Sequence, residues 1–190
     1  MVAGVGAQVV RPRRDRVTPL LVMRGGVYMR VADPDWEDPL SGEYAKARGG
    51  RPNAPGAFPV VYLNSDERVA RANVLQRFAG LPYGPEDLEP SAAPLLVSTV
   101  VPADELAGVV SDAGCAAVGL PPTYPVDEDG APVSHGACQP VGQEAWNANL
   151  PGIACRSAAP AAPAGGEELA RFDRGEPLRP LEIRRFADWF

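Results

Sequence analysis

Two arginines, a tyrosine and a serine are the side chains of this sequence best placed for chemistry. Arg51 follows Gly49 and Gly50 in a polar loop. A guanidinium on such a loop can reach a phosphate together with backbone N–H groups; the other reading is a surface charge on a turn. Arg30 closes a strand-like run, Val27 to Val31, and has the same two readings. Tyr62 lies inside an apolar run and either fills the core or offers a platform to a flat ring. Ser157 follows a short strand-like segment and reads as a turn serine or a hydrogen-bonding group. The one histidine, His135, lies between Gly130 and Gly136 and reads as a solvated loop residue. It leaves a histidine-based dyad with a single candidate. The chain carries no phosphate loop, no dinucleotide glycine fingerprint and no nucleophile elbow.

These residues need elements to hold them. Phe58 to Leu63 is rich in β-branched and aromatic residues and predicts a buried strand, as does Leu95 to Val101. Asp33 to Gly56 reads as a polar, glycine-rich loop. Asn64 and Glu67 resemble an N-cap and its reciprocal partner. They open a helix that runs to about Ala79, where Gly80 and Pro82 stop it. Val69, Ala72, Leu75 and Ala79 form its apolar stripe, with Asn73 beside them. Ala103 to Asp112 predicts a short helix. Gln139 to Asn149 predicts another, with Pro140 in its first turn. Ile153 to Cys155 is a short strand, and Leu169 to Phe172 and Leu181 to Phe186 read as edge strands. Strands outnumber helices at irregular spacing, which points to an α+β fold rather than a doubly wound sheet.

Composition narrows the function. The 190 residues suit one domain, and 45% are apolar. The net charge of −6 argues against nucleic-acid binding. No apolar run is long enough to span a membrane. Cys115, Cys138 and Cys155 are three in number without CxxC spacing, which argues for a reducing cytoplasm and against a disulfide framework. No zinc-ligand spacing is present, so no metal is expected. The apolar start is followed by arginines, the reverse of a signal peptide, so residues 1–20 read as a flexible leader and 21–190 as a single domain.

Taken in order, the residues resemble the opening and closing segments of the RES-domain family. The opening runs from Arg30 through Asp38-Pro39-Leu40-Ser41-Gly42-Glu43 to Gly49-Gly50-Arg51, Asn53, Pro55-Gly56 and Val60-Val61-Tyr62-Leu63. A middle segment is Val101-Pro102-Ala103-Asp104-Glu105-Leu106. The closing segment holds Ala137-Cys138-Gln139, Gly142, Ala145-Trp146, Gly152-Ile153 and Arg156-Ser157-Ala158. The resemblance covers about residues 27 to 172. It implies an ADP-ribosyltransferase-like fold, a split, twisted sheet with peripheral helices. It implies cleavage of NAD⁺ at the nicotinamide–ribose bond, with NAD⁺ as substrate. It also implies a toxin restrained by an antitoxin that carries a helix-turn-helix segment. Carried over by position, Arg30, Arg51, Tyr62 and Ser157 would bind NAD⁺, and Arg30, Asn73 and Ser157 would be catalytic.

The chain departs from that pattern in three places. Pro52 stands where the family has tryptophan, and Met29 where an aromatic residue is common. Asn73 stands eleven residues after Tyr62, where the family has its glutamate. An amide cannot offer negative charge to an oxocarbenium-like transition state. Glu67 lies about two helical turns away, and Glu43 is the less constrained substitute. The leading expectation is therefore an NAD⁺ glycohydrolase or ADP-ribosyltransferase. The alternatives are a catalytically silent RES-like nucleotide-binding or protein-interaction module, and a divergent biosynthetic enzyme acting on an NAD-like nucleotide.

Overall fold

The computed structural model describes residues 18–190, so the expected leader lies almost entirely outside the described residues. The fold is α+β, as expected. Six strands form its sheet: β1 Leu21–Ala32, β2 Val60–Asn64, β3 Leu95–Val109, β4 Gly152–Arg156, β5 Glu167–Phe172 and β6 Pro180–Arg184, in the order β1-β2-β5-β4-β3-β6. β1 also pairs with β3, so the sheet closes on itself. One antiparallel half is β1–β3–β6 and the other is β2–β5–β4. Two narrow seams join them. One is the single pair Met29↔Asn64, the other a parallel contact of β3 with β4 from Ala107↔Ile153 to Val109↔Cys155.

The long β3 replaces an expected helix. Ala103 to Asp112 does not form one; the strand continues to Val109. β1 runs beside it from Ala32↔Leu95 to Leu21↔Ala107, with an irregularity between Arg24 and Gly26. That pairing satisfies the backbone of a segment whose composition is equally suited to a helix, and tertiary context overrides propensity. The helix that does form, α3, is Asp112–Ala117, opened by Ser111 accepting from the Gly114 N–H at 3.1 Å. β5 is likewise not an edge strand, since β2 and β4 flank it. β6 does lie on the outer edge of β3.

The remaining helices also refine the expected boundaries. The loop expected over 33–56 contains a short helix, α1 Glu43–Arg48. Helix α2 is Glu67–Phe78, and its cap is Asp66, whose carboxylate accepts from the N–H groups of Arg68 and Val69. Asn64 is not the cap because its side chain turns back to β1, donating to the Met29 carbonyl at 3.0 Å. Glu67 pairs with Arg184 at 2.6 Å instead of closing a capping box. α2 buries Val69, Ala70, Ala72 and Val74, while Leu75 faces outward. Helix α4, His135–Asn147, begins four residues earlier than expected because Ser134 caps it. Pro140 therefore lies inside the helix.

The β2–β5–β4 half is buried on both faces. Val61, Leu63, Leu169 and Ala154 point inward against Tyr28, Val97, Val101 and Leu106. On the opposite face Val60, Phe172, Ala170 and Ile153 pack with Phe58 and Trp146. Phe58 stacks on Trp146 at 4.8 Å and meets Phe172 edge-on at 5.1 Å. Each fully buried valine, leucine, isoleucine or phenylalanine among them stabilises the fold by about 1.5–3 kcal/mol. Among the described residues no helix is long and apolar enough to cross a membrane.

Candidate active site

Strand register builds the floor of the main cavity. Tyr62 lies opposite Ala170, which lies opposite Ile153; one step along, Asn64 lies opposite Glu168, which lies opposite Cys155. Side chains alternate along a strand, so these two rows share one face. Together with α1, the Gly49-Gly50-Arg51 loop, α2 and the start of α4, they enclose a cavity of about 590 Å³. That volume suits a nucleotide-sized ligand.

The glycine pair shapes one wall. Gly49 ends α1 at φ 75°, a conformation that favours glycine. Gly50 lies under the Tyr62 hydroxyl, and a β-carbon there would overlap that oxygen. The hydroxyl donates to Asn53 Oδ1 at 2.5 Å, and the fully buried Asn53 donates on to the carbonyls of Ala45 and Phe58. Burial pushes the Tyr62 pKa up, so the phenol stays a neutral donor. Gln139 donates to the Gly50 carbonyl at 3.2 Å, and Arg51 to the Val133 carbonyl at 2.8 Å. The arginine is thereby fixed at the wall. Removing the hydroxyl in Tyr62→Phe leaves the buried Asn53 oxygen unpaired. The expected loss is about 1–3 kcal/mol of folding free energy, read from urea unfolding; an unchanged midpoint would count against the bond.

Arg30 is 3% exposed and donates to the Ser41 carbonyl at 2.9 Å. Its guanidinium lies 4.9 Å from the ring centre of Trp36, which stacks on Tyr44 at 4.2 Å. Burial lowers its pKa to about 10, which leaves it charged at neutral pH. Arg48 and Arg77 line the same cavity as Arg30 and Arg51. Four arginines around one concavity, in a chain of net charge −6, concentrate positive potential where an anionic ligand would enter.

The opposite chemistry lies at Glu168. One carboxylate oxygen, Oε1, accepts from Ser157 Oγ at 2.6 Å, from Asn73 Nδ2 at 3.0 Å and from the Ala158 N–H at 3.3 Å. Asn73 Nδ2 also reaches Asn64 Oδ1 at 2.8 Å. A carboxylate only accepts, so the Asn73 amide must turn its nitrogen to Glu168.

Arg30, Arg51, Tyr62 and Asn73 thus line one cavity. Ser157 does not line it; it stands behind Glu168 and borders a smaller cavity. Glu43 is exposed, pairs with Lys46 at 3.2 Å and takes no part in the lining. His135 is the first residue of α4, not a loop residue, and it is exposed at the cavity's border. Sequence reasoning missed Trp36, Tyr44, Arg48, Arg77 and Glu168. Glu168 had a signal, a carboxylate alternating with Ala170 and Phe172 on a strand, but a charged strand end reads as an edge.

Residues 27–184 match the family model of the RES domain. The chain belongs to the RES-domain family. Its fold is similar to a chain in the crystal structure of the M. tuberculosis MbcT–MbcA toxin–antitoxin complex. The two share 24% identity over 87% of this chain and 86% of that one, with a TM-score of 0.70. No curated protein matches the chain. In this RES domain Pro52 is buried, and its carbonyl lies against Gly142 of α4. The loop and the helix therefore touch backbone to backbone at the position where this chain has Pro52 in place of the family's tryptophan.

Proposed function

We propose that this RES domain binds NAD⁺ in the arginine-lined cavity and breaks its nicotinamide–ribose bond. The observation that carries this reading is one cavity lined by four arginines and two carboxylates, Asp33 and Glu168. Guanidinium groups recognise the diphosphate of a dinucleotide through charge-assisted hydrogen bonds. The pyridinium of NAD⁺ leaves as neutral nicotinamide when it takes the electron pair of the bond to ribose C1′. It needs no proton, so the protein has to orient the ribose and stabilise the cation that forms there. Water then adds its oxygen to C1′ and releases a proton, giving ADP-ribose; another hydroxyl group in its place gives ADP-ribosyl transfer.

Incubation of the purified protein with NAD⁺ tests the reaction. Nicotinamide and ADP-ribose, or nicotinamide and an ADP-ribosylated acceptor, are the expected products. Intact NAD⁺ with undiminished binding would favour a silent nucleotide-binding module, the reading that Asn73 at the family's acidic position supports. Arg51→Ala should weaken NAD⁺ binding by about 1.5–3 kcal/mol, the range for a hydrogen bond to a charged group. Calorimetry checks this, and an unchanged Kd would remove Arg51 from the site.

We further infer that the protein is the toxin of a toxin–antitoxin pair. The support is the family together with the similar fold in a toxin–antitoxin complex. The expected partner is an antitoxin with a helix-turn-helix segment. Growth arrest on expression, relieved by co-expressing the adjacent gene, is the expected result; unaffected growth would oppose it.

A further inference from the structure

The family position for a glutamate carries Asn73, yet the cavity holds a carboxylate in contact with that same residue. Glu168 belongs to β5, ninety-five positions along the chain from Asn73. Three donors hold its Oε1: the Ser157 hydroxyl, the Asn73 amide and the Ala158 N–H. Its other oxygen, Oε2, accepts no hydrogen bond among the described residues, and Glu168 lines the cavity. Trp189 Nε1 is the one fully sealed side-chain polar atom without a partner among those residues, so Oε2 is open rather than buried and unpaired. Three donors on one oxygen fix the direction of the other. The charge also reaches across the cavity, helping to push up the pKa values of Tyr62, Tyr124 and Cys155 after burial itself.

We propose that Glu168 is the catalytic carboxylate of this RES domain, its open oxygen facing the ribose while Asn73 and Ser157 position it. The acidic group has in effect moved across the contact from α2 to β5. This rests on the NAD⁺-cleaving reading above. As the bond from C1′ to the nicotinamide nitrogen breaks, its electron pair goes to nicotinamide and positive charge develops on C1′ and the ring oxygen. Glu168 Oε2 stabilises that charge without bonding to it. Water then bonds to C1′ and gives up its proton to solvent.

Glu168→Gln preserves the shape of the side chain and removes the charge. Its kcat for nicotinamide release should fall by about a hundredfold or more, the usual effect of removing one electrostatic contact to a transition state. The NAD⁺ Kd should change by less than about threefold, because the ground-state ribose carries little of that charge. A merely structural role would shift both quantities together. The exchanged pair, Asn73→Glu with Glu168→Gln, returns a carboxylate to the other side of the same contact. It should recover kcat to within about tenfold of the starting protein, and it decides the matter if Glu168→Gln alone fails to fold. Full turnover by a folded Glu168→Gln protein, or no recovery in the exchanged pair, overturns the role of Glu168 while leaving NAD⁺ cleavage in place. Absence of nicotinamide release from the unaltered protein overturns both.

Discussion

Gly142→Ala should destabilise the protein by about 3 kcal/mol, the upper part of the range for overpacking. The ordinary expectation has the opposite sign. Glycine inside a helix is about 1 kcal/mol worse than alanine, and Gly142 lies inside α4, His135–Asn147. Here tertiary packing wins, because a β-carbon at Gly142 would collide with the Pro52 carbonyl, carbon and α-carbon. Those are backbone atoms with no rotamer to change. Pro52 is itself held between Arg51, bound to the Val133 carbonyl, and the buried Asn53. Relief therefore requires moving the arginine wall of the cavity, and NAD⁺ binding should weaken together with stability. Gly136→Ala in the same helix is the internal control. A β-carbon there meets only Ser134 Oγ, at 3.9 Å, so that variant should be neutral or up to about 1 kcal/mol more stable. Chemical unfolding of the two variants checks the sign. Equal stabilities would mean that α4 and the Pro52 loop do not press together.

Asn73→Glu, made alone, should not raise turnover and should cost stability. From the sequence, restoring the family's glutamate promises activity, because the site then reads as lacking the family's carboxylate. Glu168 reverses that expectation, since the new carboxylate would face it across a contact now spanning 3.0 Å. Two like charges about 4 Å apart at an effective dielectric near 20 repel by roughly 4 kcal/mol. The variant also loses the amide donor to Asn64. Relaxation and a shared proton reduce the repulsion, and a net loss of about 1–3 kcal/mol at pH 8 is expected. The pH dependence follows from proton counting. The facing pair retains a proton in the folded state that the unfolded chain releases above the ordinary glutamate range. Folded protein then binds more protons than unfolded, so the variant loses stability as pH rises and regains it in mild acid. Thermal unfolding at pH 5 and pH 8, with nicotinamide release at pH 8, tests both parts. A pH-independent Tm difference, or turnover above that of the unaltered protein, would contradict the placement of Glu168.

Much of the architecture was legible along the chain. The strand at Phe58 to Leu63 and the helix after it announce themselves through β-branched runs and glycine and proline stops, although the cap is Asp66 rather than Asn64. The order of short motifs from Arg30 to Ser157 pointed to the RES-domain family, and the α+β fold followed. Pattern and order are properties of neighbouring residues, so sequence alone carries them. Which residues meet is a different matter. The segment 103–109 has helical composition but is held as strand by β1, from far outside any local window. Glu168 reads as part of a charged strand end until β2 and β4 flank it and turn it onto the face shared with Asn64 and Cys155. Ser157, aimed at the substrate in the sequence reading, stands behind that carboxylate. The sequence by itself determined the family, the α+β class, most of the strands, the two longer helices, and two of the four arginines, Arg30 and Arg51, that line the site. Tertiary structure alone decided where the negative charge lies, because strand register brings together side chains that no spacing along the chain connects.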